Sequence, residues 1–375
     1  MYPMNQEFRV KKIIRMAAIA GAAALALAAC GSAPSTSTTA GSSSSTAAAA
    51  ASFKACMVSD AGGFEDKSFN QSGAEGLDKA KTDLGVTEVK VESTASTDFT
   101  PNIANLVSQD CNLIIGVGFN LASAIQTAAN ANPTINFALV DSAFSDANFK
   151  TVTLKNGKPL LFNTQEAAFL AGYVAAGMTK TGKVATFGGM QLPSVTIFMD
   201  GFADGVALYN KDNSKSVQVL GWDKASQKGS FTGDFDNQAN GQNLGKGFID
   251  QGADIIMPVA GPVGLGAAAA AKAAGNVKII GVDADWYNTA PDYKSIVLTS
   301  VIKEIGQSVY DTVKQSVAGS YTADPYVGTL KNSGIDIAPF HDFDSQVPAA
   351  LKTKVADLKK AIIDGSLKVT SPSSN

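Results

Sequence analysis

The 375-residue sequence is poor in the residues that nucleophilic catalysis and metal binding most often use, with one histidine and three cysteines. The only histidine, His341, has no Cys, Ser or Glu pattern around it that completes a catalytic or metal site, so we expect a structural or surface role. The cysteines, Cys30, Cys56 and Cys111, lack the CxxC spacing of zinc and redox motifs. The formal net charge of −3 provides no basic stripe, which argues against a nucleic-acid partner.

The apolar run Met16–Ala29 lacks the length to span a bilayer as a helix. This run follows four basic residues and ends in small ones, so residues 1–29 are typical of a secretory signal peptide. Leu27-Ala28-Ala29-Cys30 resembles the bacterial lipobox, in which the cysteine becomes the lipid-modified (palmitate-bearing) first residue. The alternative is an ordinary cleavage site next to a chance cysteine. Residues 30–51, almost all Ser, Thr, Ala and Gly, are expected to form a flexible tether.

Apolar runs of strand length recur along the remaining chain, and most precede a segment with apolar residues at helical spacing. This alternation predicts α/β architecture with doubly wound parallel sheets, and the strands are too many for one sheet, so we divide them between two domains. The predicted strands are Lys54–Val58, Thr87–Val91, Leu113–Val117, Ile135–Val140, Val184–Phe187, Val217–Leu220, Asp254–Val259, Val277–Val282 and Ile296–Thr299. The predicted helices are Ser72–Leu84, Ile103–Gln109, Ala122–Asn130, Glu166–Met178, Ser194–Tyr209, Gly241–Gln251, Gly264–Ala274, Lys303–Ala318 and Pro348–Ile363.

Export changes the expected chemistry of two cysteines. Cys56 lies in the first predicted strand and Cys111 opens the third. In a sheet ordered 2-1-3-4-5 these strands are neighbours. Because an oxidising compartment permits the bond, we predict a Cys56–Cys111 disulfide.

The stretch richest in polar and aromatic chemistry is Asp60–Asn70, which reads Asp-Ala-Gly-Gly-Phe-Glu-Asp-Lys-Ser-Phe-Asn. It joins the first strand to the first helix, where open α/β sheets bind ligands. Its glycines let a ligand approach the backbone, a phenylalanine can stack on a flat ring, and Asp and Asn can read a polar edge. The alternative is a glycine turn with a helix cap, and both phenylalanines in the core.

Polar or glycine-rich residues follow other predicted strands as well. Parallel strands present their carboxyl ends at one edge, and two such edges facing each other form a cleft suited to a small ligand. The residues concerned are Gly118-Phe119-Asn120, Asp141, Gly188-Gly189, Ala260-Gly261-Pro262 and Asp283-Ala284-Asp285-Trp286.

Several of these stretches match motifs of one family. Residues 60–71 resemble its signature Asp-x-Gly-Gly-x-x-Asp-x-Ser-Phe-Asn-x, and Glu166–Ala176 resembles its crossover helix. Further matches are Gly188-Gly189-Met190, Gly201-Phe202 with Gly205-Val206, Gly281-Val282-Asp283-Ala284-Asp285, and Thr299-Ser300 with Lys303. On these residues, over roughly 53 to 365, the chain resembles the basic membrane protein family of bacterial substrate-binding lipoproteins, which includes purine nucleoside receptor lipoproteins of ABC transporters.

The resemblance implies a type I periplasmic-binding fold, in which two Rossmann-like lobes joined by three crossovers close over a ligand. We expect the crossovers near Phe162–Asn163, Val282–Asp283 and Tyr326. The implied lobes are 52–162 plus 284–326 for the first and 163–283 plus 327–371 for the second.

The resemblance also implies residues that bind the base of a nucleoside. Phe69 and Phe198 would stack on its two faces, one from each lobe. Phe198 also lies at helical spacing with Phe202, so a core position is the alternative. Asp60 and Asn70 would hydrogen-bond the edge of the base.

The sugar of the nucleoside has its own implied residues. Asp283 resembles the carboxylate that accepts from the ribose hydroxyls, Lys303 resembles a nearby lysine that reaches the sugar, and Asp141 is a further expected contact. For each aspartate the alternative is a helix cap or turn. Trp286 stands where many relatives carry Gln, either at the cleft mouth or as a packing residue. The residues expected to line the cleft are Phe119, Gly261 and Trp286.

The function implied is that of a binding module rather than an enzyme, without cofactor or metal. A monomeric lipoprotein, anchored through Cys30 on the extracytoplasmic face of the cell membrane, would capture a nucleoside and deliver it to an ABC permease. A purine nucleoside is the leading candidate for this ligand. One alternative is a sensor lipoprotein for another small molecule, such as a sugar or nucleobase. Another is a nucleoside hydrolase, in which Asp60 and Asp66 would mimic part of a metal site.

Overall fold

A computed structural model describes residues 50–374 of the chain, apart from residues 51 and 149. The predicted signal peptide, the lipidation site Cys30 and nearly all of the tether therefore lie outside the described residues. Within the described range, no helix has both the length and the apolar character needed to cross a membrane.

Among the residues that the structure describes, fourteen strands form two large sheets and one small one. Their bounds are β1 Lys54–Ser59, β2 Thr87–Val91, β3 Leu113–Val117, β4 Asn136–Val140, β5 Gly157–Phe162, β6 Lys183–Gly188, β7 Gln218–Leu220, β8 Trp222–Asp223, β9 Lys228–Gly229, β10 Ile255–Val259, β11 Lys278–Asp283, β12 Val297–Lys303, β13 Tyr326–Gly328 and β14 Ile335–Ile337. The first sheet is parallel with the order β2-β1-β3-β4-β5-β13. The second has the order β7-β6-β10-β11-β12-β14, with only β14 antiparallel. The pair β8-β9 is separate.

Helices connect the strands and cover the two large sheets. Their bounds are α1 Phe69–Leu84, α2 Phe99–Ser108, α3 Ala122–Ala131, α4 Gln165–Met178, α5 Pro193–Asn213, α6 Gln238–Asp250, α7 Pro262–Ala274, α8 Trp286–Thr289, α9 Ile305–Val317 and α10 Ala349–Ile363. The amphipathic helix α9 buries Ile305, Val309 and Val313 in the core. Its Gly306 packs directly on Gly76 of α1, where a Cβ at Gly76 would lie 2.2 Å from the Gly306 carbonyl oxygen. The alternating strands and helices predicted two α/β sheets, and the structure confirms this fold class.

The strand order 2-1-3-4-5 of the first sheet is confirmed. Cys56 in β1 and Cys111 just before β3 are joined by a disulfide with a Cα–Cα distance of 6.0 Å. Both cysteines are buried in a core between the first sheet and helices α2 and α3. The predicted pairing is therefore confirmed by the structure.

The predicted crossover at Val282–Asp283 is wrong. After β11 the chain passes through α8 and returns to the second sheet as β12, which pairs in parallel with β11. It crosses to the first sheet only after Lys303, where α9 begins. Residues 284–303, expected in the first lobe, therefore belong to the second sheet, because the buried apolar run of β12 completes that sheet.

The last crossover also differs from its expected position. β13 still pairs with β5 in the first sheet, and β14 pairs with β12 in the second. The chain thus crosses between Gly328 and Ile335 rather than near Tyr326. The missed strand β5 begins with Gly157 and contains Pro159, residues that usually indicate a turn, so its sequence concealed its buried central position.

Candidate functional site

A pocket lies between the two large sheets, at the carboxyl ends of their strands, where open α/β sheets bind ligands. It contains about 550 Å³ of non-atom space, a figure that includes the part open to solvent. Its lining comes from both sheets. The lining residues are Asp60, Ala61, Asp66, Phe69, Asn70, Gly118, Phe119, Asp141, Leu192, Ser194, Val195, Phe198, Phe235, Val259, Ala260, Gly261, Pro262, Asp283 and Lys303.

The loop 60–70 is held in place by the buried carboxylate of Asp66. Its oxygens accept from the backbone N–H groups of Ser68, Asn70 and Gln71 at 2.9, 2.8 and 3.0 Å. These donors begin α1 and have no partners within the helix, so Asp66 acts as its cap. The cap directs Phe69 and Asn70, the first residues of α1, toward the pocket.

The side-chain amide of Asn70 is hydrogen-bonded through its nitrogen but not through its oxygen. Its Nδ2 donates to the Ala61 carbonyl at 3.0 Å, to Asp66 at 3.3 Å and to Asp60 at 3.4 Å. Its Oδ1 is buried and has no hydrogen-bond partner. Because three acceptors fix the amide orientation, Oδ1 remains available to a donor from a ligand.

Asp60, at the end of β1, is nearly buried and has only weak partners. Its carboxylate accepts from Asn70 and from Asn120, each at 3.4 Å. Burial raises the pKa of Asp60 to about 8. The hydrogen bond from Asn70 lowers this pKa, and the negative charge of Asp66 raises it further. At neutral pH Asp60 is therefore largely protonated and can donate a hydrogen bond as well as accept one.

Lys303, at the end of β12, joins the two sheets. Its ammonium pairs with Asp141, which follows β4 of the first sheet, and lies 3.4 Å from the carboxylate of Asp283 in the second. Burial alone lowers the pKa of Lys303, but the two carboxylates outweigh it and hold the pKa above its usual value. Asp141 and Asp283 have φ angles of 63° and 66°, so both strands end in a left-handed turn that directs a carboxylate at Lys303.

Three aromatic rings surround the same ammonium. Lys303 Nζ lies 4.9 Å from the ring centre of Phe69, 5.4 Å from that of Phe162 and 5.5 Å from that of Phe198. Phe69 begins α1 beside the first sheet, and Phe198 lies on α5 beside the second. Both rings line the pocket. Phe198 is also almost fully buried, so it is at once a core residue and a pocket residue.

The sequence analysis missed one aromatic wall of the pocket, Phe235. The loop that carries it is hydrogen-bonded to the glycine pair at the end of β6. Thr232 N donates to the Gly188 carbonyl at 3.0 Å, and Gly233 N donates to the Gly189 carbonyl at 2.8 Å. A Cβ at Gly189 would lie 2.4 Å from the Phe235 ring, so this glycine lets the ring lie on the backbone. In the sequence, the pair Gly188-Gly189 indicates that another group can approach the backbone there. It does not indicate that this group is the ring of Phe235.

Phe119 and Gly261 line the pocket, and Trp286 does not. The indole of Trp286 is fully buried within the second sheet's core, and its Nε1 donates to the Val282 carbonyl at 3.0 Å. Of the two positions that the sequence left open for Trp286, the structure shows the packing position and not the cleft mouth. The indole fills the space left by Gly281 and Gly264, where a Cβ would overlap it. His341 lies outside the pocket, stacked on Tyr287 and 2.7 Å from Asp285.

The pocket is rich in carboxyl groups, but it has no arrangement typical of a metal centre. Nowhere in the described range do three His, Cys, Asp or Glu side chains gather as potential ligands of one ion. The carboxyls are instead held by amides, backbone N–H groups and Lys303. The arrangement is suited to binding a flat, polar molecule between aromatic rings.

Comparisons with known proteins agree with this geometry. A model of the family described as Bmp, ABC transporter substrate-binding protein PnrA-like, matches residues 53–369. The chain is 34% identical to the ABC transporter nucleoside-binding protein BmpA of Lactococcus lactis, over 85% of this chain and 89% of that protein. It is 30% identical to basic membrane protein D of Borreliella burgdorferi, over 82% and 85%. A solute-binding protein of an ABC transporter system from Aeropyrum pernix superposes with a TM-score of 0.76 at 25% identity, over 85% and 94%.

Proposed function

The chain belongs to the Bmp family of PnrA-like ABC transporter substrate-binding proteins, and from this premise we propose that it captures a nucleoside, most readily a purine nucleoside. The ligand occupies the pocket between the two sheets and is delivered to the permease of an importer. The protein acts by binding and release, without a chemical step.

The observation that carries this proposal is the pair of phenylalanines on opposite walls of the pocket. Phe69 and Phe198 come from helices beside different sheets, and both line the same space. A purine between them stacks on both faces, which favours a flat heterocycle over a sugar alone. The edge of the base meets Asp60 and Asn70, where the unpartnered Oδ1 of Asn70 accepts from a ring or amino N–H.

The sugar end of the nucleoside is assigned to the charged cluster of Asp141, Asp283 and Lys303. Two carboxylates accept from ribose hydroxyls, and the ammonium donates to a hydroxyl or ring oxygen. A free base leaves these buried groups without a ligand partner, so the site favours the nucleoside over the base. One similar protein, BmpA of Lactococcus lactis, is named as nucleoside-binding, which supports the assignment.

The cellular setting is also a proposal. Cys30 carries the lipid that anchors the protein on the extracytoplasmic face of the membrane, and the segment up to residue 51 tethers the monomeric body. The disulfide between Cys56 and Cys111 supports an oxidising compartment. The permease is the expected protein partner, as for other ABC transporter substrate-binding proteins.

A thermal-shift screen of the chain from residue 52 tests the proposed ligand. A compound that binds only the folded state raises the unfolding midpoint by mass action. We expect a shift with adenosine, guanosine or inosine, and none with ribose or a free base alone. Phe69→Ala and Asp283→Ala should abolish the shift.

The control variant is Phe64→Ala, in the same loop but outside the pocket lining, which should keep the shift. A shift with a sugar or another small molecule, and none with nucleosides, would overturn the nucleoside assignment. Time-dependent release of free base from a bound nucleoside would overturn the assignment as a binding protein.

A further inference from the structure

Ser68 lies near the end of the loop 60–70, which we call the ligand loop, yet its side chain does not line the pocket. Its hydroxyl donates to the Val282 carbonyl at 2.9 Å and lies 3.2 Å from Oδ2 of Asp283. Ser68 is 1% exposed and Val282 is fully buried. The contact is therefore a buried hydrogen bond between two segments 214 residues apart in sequence.

The two partners of this hydrogen bond belong to different sheets. Ser68 immediately precedes α1, which follows β1 of the first sheet, whereas Val282 is near the carboxyl end of β11 in the second sheet. Any motion that separates the two sheets at the pocket must break the Ser68–Val282 bond. The bond also holds Asp283, on the second sheet, at a set position relative to Phe69 on the first.

The accepting carbonyl is held in orientation from its own side. Trp286 Nε1 donates to the same oxygen of Val282 at 3.0 Å, and the Trp286 backbone N–H donates to Ser300 Oγ at 3.1 Å. Gly281 and Gly264 leave the space that the indole fills. The Ala284 backbone N–H also donates to this oxygen, at 2.8 Å. Two donors of its own segment therefore fix the carbonyl, and Ser68 is its third donor.

We propose that Ser68 is a positioning residue for closure: its hydroxyl latches the ligand loop of the first sheet onto the end of β11 and so holds the ligand-bound closed state together. This inference rests on the proposed function, since it assumes that the two sheets close over a ligand. The latch acts mainly on ligand release, because the Ser68–Val282 bond must break before the pocket opens and the ligand leaves. The same bond opposes opening when no ligand is bound, so its loss is measurable in both states.

The variant Ser68→Ala is suited to the test because it leaves no buried group without a partner. The Val282 carbonyl keeps the hydrogen bond from Trp286, and Asp283 keeps its contact with Lys303. We therefore expect Ser68→Ala to fold with a nearly unchanged unfolding midpoint in the absence of ligand. The matched control is Ser308→Ala in α9, a buried serine whose hydroxyl bonds only to Ile305 of its own helix.

The experiment measures ligand association and dissociation rates on the full-length protein, for whichever nucleoside, base or sugar gives the largest thermal shift. Ser68→Ala should raise the dissociation rate and Kd about five- to tenfold, with the association rate changed less than twofold. Hydrogen exchange without ligand should become faster at residues 60–70 and 282–286 only. Ser308→Ala should match the parent protein in both measurements.

Unchanged dissociation and exchange rates in Ser68→Ala would overturn the latch, since the hydroxyl would then only satisfy a buried carbonyl. An equal effect of Ser308→Ala would overturn it too, because general loosening would explain the result. If no compound binds the parent protein, the proposed function fails instead. The exchange comparison then decides the latch by itself, with faster local exchange supporting it and equal exchange contradicting it.

Discussion

At the scale of single residues, Asp60 is the group whose environment is least expected from its chemistry. It is a buried carboxyl with two hydrogen bonds of 3.4 Å, and its pKa is raised to about 8. A carboxyl kept neutral by burial makes the ligand-free protein less stable at neutral pH than it would otherwise be. Such placements are concentrated at functional sites, which agrees with the position of Asp60 in the pocket.

The raised pKa of Asp60 predicts how stability changes with pH. In the unfolded chain Asp60 titrates near pH 4. Between pH 4 and 8 the folded state holds a proton that the unfolded state has released, so the free energy of unfolding falls as pH rises. Asp60→Asn cannot titrate, and its free energy of unfolding should therefore increase relative to the parent protein over this range, by up to about 1.4 kcal/mol per pH unit.

Urea titrations of the parent protein and Asp60→Asn at pH 4, 5, 6, 7 and 8 provide the measurement. Glu65→Gln, which removes an exposed carboxyl from the same loop, is the control. A constant difference between the parent and Asp60→Asn at every pH would contradict the raised pKa.

At the scale of elements, the close crossing of α4 and α5 positions one aromatic wall of the pocket. Three glycines lie at this crossing, where a Cβ would overlap the backbone of the other helix: Gly172 in α4, and Gly201 and Gly205 in α5. Because α5 also carries Phe198, the distance between the two helices fixes how far this ring reaches into the pocket. The family motif around Gly201 and Gly205 thus has a packing explanation.

The crossing predicts that Gly205→Ala is costly. Its Cβ would lie 2.0 Å from the Phe169 carbonyl oxygen, so the helices must separate. We expect a loss of about 1–3 kcal/mol in the free energy of unfolding, and weaker ligand binding because Phe198 moves with α5. Denaturant titration and calorimetry measure the two effects.

Gly247→Ala in α6 is the matched control, since nothing lies within 4 Å of the added methyl group. There the substitution should stabilise the helix by about 0.5–1 kcal/mol. Similar results for Gly205→Ala and Gly247→Ala would show that helix propensity, and not the crossing, determines the effect.

At the scale of the whole molecule, the pocket has an excess of acidic groups. Four aspartates line it, and Lys303 is the only basic residue among the lining. The chain has two arginines, Arg9 and Arg15, both in the predicted signal peptide. The pocket lining therefore has no guanidinium group that could form bidentate hydrogen bonds with a phosphate.

This charge balance predicts that the site rejects phosphorylated ligands. The 5′-monophosphate of the nucleoside that binds best should bind at least about 100-fold more weakly, because its charge meets carboxylates and the ammonium of Lys303 is already paired with Asp141 and Asp283. Calorimetry with the nucleoside and its monophosphate at the same ionic strength measures the ratio. Similar affinities for the two would contradict the prediction.

Much of the fold followed from local pattern, and the errors have identifiable causes. Buried runs such as Leu113–Val117 indicated strands because parallel strands covered on both faces are apolar throughout. The strand β5 was missed because Pro159 and Gly157 are usually turn residues. The crossover after β11 was misplaced because a strand end that returns to its own sheet looks the same in sequence as one that leaves it.

The candidate site was predictable to a similar extent. Asp60, Phe69 and Asn70 follow a buried strand, and this position together with the family motif indicated a ligand loop. Phe235 could not be found in this way, because it lies in an irregular loop and reaches the pocket only by packing on Gly189. For Trp286 the sequence left both the cleft mouth and a packing position open, and only the fold shows that its ring lies in the core.

The sequence by itself determined which strand ends carry polar residues, since chain order decides which residues follow each buried run. It also determined the family, through motifs of contiguous residues. Only the tertiary structure decided which of those residues meet. Lys303 and Asp141 are 162 residues apart and pair only when the two sheets face each other. The raised pKa of Asp60 and the Ser68–Val282 bond likewise depend on burial, which arises only when both sheets are packed together.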